Sequence, residues 1–248
     1  MIERLKDPAI RAKIRADLLK PSMEWDNEWQ SIPGPESVMI GVVHEPKLLP
    51  LQGKTLAQIA KDQGKDPMDA LFDLLVEDGA YTMVAVFGMS EPDVALALRQ
   101  PWTSIGCDSQ GTTTDGLLGT EHPHPRAYGT FPRILRKYVR EEHVLSLEEA
   151  IRKFSGLPAA RVHLEGRGVL SVGAWGDLVV FDPATVRDRA TFEVPNQLSE
   201  GMRFVLVNGV PVIDEGRMTG ALPGKVLRGA GATQNVRGPE GRSGGAPP

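Results

Sequence analysis

Twenty-seven glycines and twenty prolines are spread along the 248 residues, so no apolar period runs unbroken for long. That excludes a coiled coil or fibre. It also excludes a membrane-spanning helix, which needs about 18 or more consecutive apolar residues. Between these breakers the chain is ordinary, 41% hydrophobic and 24% charged, with a formal net charge of −4. A small acidic excess is the wrong sign for a nucleic-acid partner, which calls for a basic face. The single cysteine, Cys107, rules out an intrachain disulfide framework and a Cys-rich zinc module. The opening Met-Ile-Glu-Arg-Leu-Lys-Asp-Pro carries no apolar leader, and the expected location is the cytoplasm.

The same breakers punctuate the secondary structure. Asp7 and Pro8 read as the cap and first residue of a helix within residues 2–20. Residues 21–54 lack a period, and their best strand is 37–43. Thr55 opens a short helix that Gly64 stops, and Asp66-Pro67 opens another with Ala70, Leu71, Leu74 and Leu75 on one face. The unbroken apolar run from Tyr81 to Phe87 predicts a strand buried on both faces. Ser90-Glu-Pro-Asp93 caps a helix over 94–99, and 102–106 reads as a further strand. Helix, helix, strand, helix, strand is the rhythm of an α/β barrel or a doubly wound sheet.

Residues 107–130 then form a long loop, and helices resume over 132–142 and from Ser146 to near Gly156. Beyond Gly166 come short strands at 178–182, 204–207 and 210–214, with Asn208-Gly209 as a hairpin turn. From Gly229 to Pro248 hydrophobes are scarce, and disorder is expected.

A loop this long inside a compact domain is usually functional, and it leaves the end of a predicted strand, where α/β barrels place their chemistry. It begins Ile105-Gly-Cys-Asp108 and closes His122-Pro-His-Pro-Arg126. These groups could bind a metal, move protons or hold a carboxylate. Each also has a plainer reading. Asp108 could cap the loop through backbone N–H groups. His122 and His124, interleaved with prolines in a loop, read first as surface imidazoles, and Arg126 as a surface cation. Cys107 has no evident activating neighbour, and His44, His143 and His163 stand isolated.

Two strings add a family resemblance. Ile105-Gly-Cys-Asp-Ser109, followed by His122-Pro-His-Pro-Arg-Ala-Tyr-Gly-Thr-Phe-Pro-Arg133, resembles the strand-eight region of the D-aminoacylases, the N-acyl-D-amino-acid deacylases of the amidohydrolase superfamily. Gly176-Asp-Leu-Val-Val-Phe-Asp-Pro183 is similar to a segment shared more widely across the superfamily. The likeness runs over residues 1–228. It implies an α/β fold: the C-terminal portion of a metal-dependent (β/α)8 barrel over 1–163, with a small inserted segment at about 46–80, followed by part of a small β-sandwich over 164–228.

The resemblance also implies a zinc-dependent hydrolase that cleaves N-acyl-D-amino acids to a carboxylate and a free D-amino acid. Asp108 would be the catalytic acid–base and a metal ligand, and Arg126 would pair with the substrate α-carboxylate through its bidentate fork. Met89 would line the side-chain pocket. Family members are about twice this length. Their strand-one H-x-H pair, their mid-barrel cysteine or modified lysine and two further histidines have no counterpart here. The expectation is therefore a chain inactive without an N-terminal half, which it would meet as a partner, or one that self-associates. Two other readings stand beside it: a catalytically dead interaction module, and another amidohydrolase of the dihydroorotase or hydantoinase kind. No membrane or nucleic-acid partner is expected.

Overall fold

The structure, a computed structural model, describes residues 1–227. The disorder expected over 229–248 lies outside the described residues.

The first helical run breaks at Lys6-Asp7 into α1 (Ile2–Leu5) and α2 (Pro8–Leu18). Asp7 accepts the Ala9 N–H at 2.8 Å, and Pro8 sits where a helix has no use for an N–H. A single turn, α3 (Glu28–Ser31), leads to β1 (Val38–Val42). Next come α4 (Leu56–Gln63) and α5 (Pro67–Glu77), both begun, and α4 also ended, by the residues that the sequence suggests. Thr55 and Gln58 exchange side-chain and backbone bonds of 3.2 and 2.8 Å, and Gly64 ends α4 at a φ of +62°. Asp66 accepts the Met68 N–H at 2.9 Å. Ile40, Leu56, Ile59, Ala70 and Leu74 form the core between β1 and this helix pair, while Leu5 of α1 packs on Met68 and Phe72.

β2 (Met83–Val86) pairs antiparallel with β1, Val38 opposite Val86 and Ile40 opposite Val84. The expected burial on both faces is not found. Only Ala85 is buried, and Met83, Val84 and Val86 are exposed, because β1 is the one strand beside β2 among the described residues. α6 (Glu91–Arg99) starts three residues before the expected Val94, with the Ser90 hydroxyl facing the Asp93 N–H.

The strand expected at 102–106 does not form either. Carbonyls of this stretch and of the two residues before it are taken by cations of a later helix. Lys153 donates to the Gln100 and Thr103 carbonyls, Arg152 to Pro101 and Arg161 to Trp102, while Ile105 N–H reaches the Lys153 carbonyl at 3.1 Å. A backbone satisfied by side chains has no need of a ladder.

α7 (Arg126–Arg133) begins six residues before the expected 132 and widens into a π-helical stretch at Ile134–Glu141. α8 (Leu147–Ile151), capped by Ser146 on the Glu149 N–H, passes through a π-helical turn at Arg152–Gly156 into α9 (Leu157–Arg161). The helix thus runs past Gly156, where it was expected to end. The wide turn accommodates Pro158, which has no N–H to return to the preceding turn. Leu98, Ile134, Leu135, Tyr138, Ala150 and Val186 fill the second core.

The chain closes in a four-stranded antiparallel sheet: β3 (Leu178–Phe181), β4 (Met202–Val207), β5 (Val210–Asp214) and β6 (Arg217–Met218), in that order. Asn208 and Gly209 take φ values of +50° and +81°, as a tight hairpin turn demands. Every strand pair among the described residues is antiparallel.

Candidate functional site

Asp108 stands on the loop after the cation-held segment 100–105, at a φ of +46°, a left-handed conformation that Asp tolerates better than most residues. No backbone N–H reaches its carboxylate among the described residues, so the loop-cap reading fails. Its partner is Arg126, whose Nη2 lies 2.8 Å from Asp108 Oδ2. The two candidates, eighteen residues apart in sequence, are therefore one ion pair, with side chains 86% and 45% exposed. That exposure decides its strength. A solvent-facing pair is worth about 0–1 kcal/mol, so a ligand carboxylate can displace Asp108 from the guanidinium at little cost.

Arg126 is the first residue of α7, and His124 holds its backbone. Nδ1 of His124 accepts the Arg126 N–H at 3.0 Å. The His124 ring meets Phe192 edge-on with centroids 4.9 Å apart. Burial, followed by the Arg126 and Arg133 guanidiniums, holds its pKa below the usual histidine value. His122 does something else. Its Nε2 lies 2.6 Å from the Phe192 carbonyl, so that nitrogen carries a hydrogen and donates. Both rings lie at the surface as read, His124 exposed and His122 half-buried, but each has a specific partner, and neither Nδ1 of His124 nor Nε2 of His122 offers a free lone pair.

Tyr128, one turn into α7, donates to the Thr113 carbonyl at 2.6 Å and ties the loop to the helix. At the start of α6, Glu91 accepts from Lys137 at 2.6 Å and from the Tyr138 hydroxyl at 2.7 Å, both on the π-helical stretch that follows α7. Burial and then Glu91 push the Tyr138 phenol up to about 12. Asp188, only 6% exposed, takes Arg136 at 2.7 Å and fastens the π-helical stretch to the segment between β3 and β4.

Met89 lies between β2 and α6 and is 86% exposed. Among the described residues no hydrogen bond or packed cluster joins it to the Asp108–Arg126 pair. Cys107 is half-buried and unbonded. Of the isolated histidines, His44 packs on Tyr81, and His143 and His163 sit at helix ends in left-handed conformations. The sequence reading missed Phe192, Asn196 and Ser199. They lie some seventy residues from the loop they touch and follow no motif.

The described residues contain no group of three or more His, Cys, Asp or Glu side chains placed to hold a metal ion. A zinc site needs about four ligands. The donor set here does not make one, and Asp108 could supply a single ligand at most.

The sequence profile of the amidohydrolase family matches residues 37–213, from just before β1 into β5, and so includes Asp108, Arg126 and the 191–199 segment. A D-aminoacylase of Alcaligenes xylosoxydans xylosoxydans is 45% identical over 177 residues, 71% of this chain and 34% of that protein. An N-acyl-D-aspartate deacylase of the same organism is 41% identical over 175 residues, 71% of this chain and 33% of that protein. The crystal structure of an N-acyl-D-glutamate deacylase from Bordetella bronchiseptica, complexed with zinc and a phosphonate inhibitor that mimics the tetrahedral intermediate, matches with a TM-score of 0.63 at 35% identity. That match covers 74% of this chain and 36% of the crystallised one. The chain thus spans about a third of the length of these relatives. Because the profile covers well over half of the chain, from the residue before β1 through the Asp108 loop and α7 into β5, the chain belongs to the amidohydrolase family.

Proposed function

We propose that this chain contributes the proton-transfer acid and the carboxylate clamp of an N-acyl-D-amino-acid deacylase built on a (β/α)8 barrel with a small β-sandwich. The observation that carries the reading is the Asp108–Arg126 pair, held at 2.8 Å on the stretch that bears the family's most specific string. The substrate is an N-acyl-D-amino acid. Its α-carboxylate docks on the Arg126 fork, replacing Asp108. The released Asp108 accepts a proton from the attacking water and passes it to the amide nitrogen as the C–N bond breaks, giving a carboxylate and a free D-amino acid. Met89 lines the side-chain pocket in this reading.

Zinc belongs to the assembled enzyme. Since the donors here do not complete a site, Asp108 would be one ligand and an N-terminal portion of an amidohydrolase would bring the rest, so turnover is expected only with that portion present. A catalytically dead module is the second reading, favoured by the incomplete donor set and the exposed β2 strand. The comparisons favour the deacylases over a dihydroorotase or hydantoinase relative, since the similar proteins are deacylases of D-amino-acid derivatives.

The clamp is tested on the purified chain by following the Arg126 side-chain Nε resonance, assigned with Arg126→Lys. N-acetyl-D-methionine should shift it and the methyl ester should not. Equal response to both ligands, or to neither, removes the clamp assignment.

A further inference from the structure

Phe192 lies in the irregular segment between β3 and β4, yet it meets the site loop twice and the end of β2 once. Its carbonyl accepts from His122 at 2.6 Å, its ring supports the edge of His124 at 4.9 Å, and the ring also packs on Phe87 at 4.6 Å. His124 in turn accepts the backbone N–H of Arg126. One residue remote in sequence therefore bears on both imidazoles of the His122-Pro-His124 run, and one of them holds the first N–H of the helix that carries the guanidinium.

Asn196, four residues on, adds the second hold. Both hydrogens of its amide are used, one on the Gly119 carbonyl at 2.7 Å and one on Glu121 at 2.8 Å. Ser199 donates to the Tyr128 carbonyl at 2.7 Å. The segment is braced within itself, since Gln197 binds the Arg189 and Val194 carbonyls and Thr191 accepts the Val194 N–H. The opposite side of the loop is close-packed. A Cβ on Gly53 would fall 3.1 Å from the His122 ring, at a φ of +81° where a side chain is already strained, and one on Gly41 would fall 3.2 Å from the His122 carbonyl. His122 is thus gripped between the β1 side and the 191–199 segment.

We propose that Phe192, with His122 and Asn196, is a positioning clamp that sets where Arg126 stands relative to Asp108. The His-Pro-His run is the clamp's socket. Pro123 and Pro125 stiffen the backbone between the two rings, and Phe192 meets both, His122 through its carbonyl and His124 through its ring. This deepens the carboxylate-clamp reading and rests on it for its functional meaning, but the positioning itself is tested without turnover. None of the three residues touches substrate or the reacting atoms in this account.

The test uses the 248-residue chain and its variants Phe192→Leu, His122→Phe, His122→Gln and Asn196→Ala. The first readout is residue-resolved amide exchange over 117–130, with β4–β5 and 147–161 as internal references. The second is the Arg126 Nε resonance, which reports pairing with Asp108 and would not move if the clamp only added general stability. Phe192→Leu and His122→Phe should lower protection of the Arg126 amide at least tenfold and shift the Nε resonance, with the reference regions unchanged. His122→Gln, which keeps an N–H donor, should restore most of the protection. Asn196→Ala should loosen 117–122 and covers the case in which the ring variants do not fold. Unchanged Arg126 signals in the ring variants, or in Asn196→Ala if those do not fold, overturn the proposal, and so does an equal loss of protection everywhere. Loss of the clamp with an intact ester-versus-acid discrimination at Arg126 would leave the deacylase reading standing, so the two fail separately.

Discussion

Arg126 and Asp108 have opposite duties in this account, and substitution should separate them. In a preparation that turns over, Asp108→Asn should cut kcat by several orders of magnitude with little change in KM, because it removes proton transfer and leaves the carboxylate site. Arg126→Ala should mainly raise KM for N-acyl-D-amino acids and leave amides that lack the carboxylate almost untouched. Steady-state kinetics on an acid and its neutral amide would show the split, and equal losses on both would contradict the assignment. His124 gives a pH signature. Its lowered pKa means that the folded chain resists a proton that the unfolded chain accepts. Stability from this group is therefore present above the ordinary histidine value of about 6.5 and is lost as pH falls toward the lowered folded value. Urea midpoints between pH 7.5 and 5 should fall less steeply in His124→Gln than in the parent, and parallel slopes would contradict this.

At the scale of elements, the end signals were legible in sequence because they act over two to four residues. Asp7, Thr55, Asp66, Ser90 and Ser146 all accept the backbone bonds that their types suggest, and Gly64 takes the left-handed turn. Thr55→Ala should destabilise the chain by about 1 kcal/mol, measurable by urea unfolding. The misses come from partners far along the chain. The 102–106 stretch has strand composition, but Arg161 and Lys153 take its Trp102 and Thr103 carbonyls and Arg152 takes that of Pro101 just before it, and nothing local announces that. Lys153 is fully buried there, beside Glu149 at 3.5 Å. Replacing it with Met keeps the apolar stem but strands those carbonyls, so Lys153→Met should lose about 3 kcal/mol or more in the same measurement. A loss below 1 kcal/mol would mean that the segment is held some other way. The candidate site was half legible: Asp108 and Arg126 stand on one recognisable stretch, whereas Phe192 and Asn196 reach it only through the fold.

At the scale of the whole molecule, β1, α7 and the 191–199 segment hold one loop in place, but the described residues do not assemble a metal centre. The uncharged run Tyr81–Phe87 is exposed along β2, an edge that natural sheets seldom leave bare. The relatives are about three times longer than the matched region. These facts agree with a chain that holds the acid and the carboxylate clamp and depends on further polypeptide for its metal. The direct measurement is zinc content together with N-acetyl-D-methionine hydrolysis, for the purified chain alone and after mixing with the N-terminal portion of the Alcaligenes D-aminoacylase. The account predicts neither stoichiometric zinc nor turnover for the chain alone, and turnover in the mixture that Asp108→Asn abolishes. Zinc bound one-to-one with hydrolysis by the chain alone would contradict it, as would a mixture whose activity ignores Asp108.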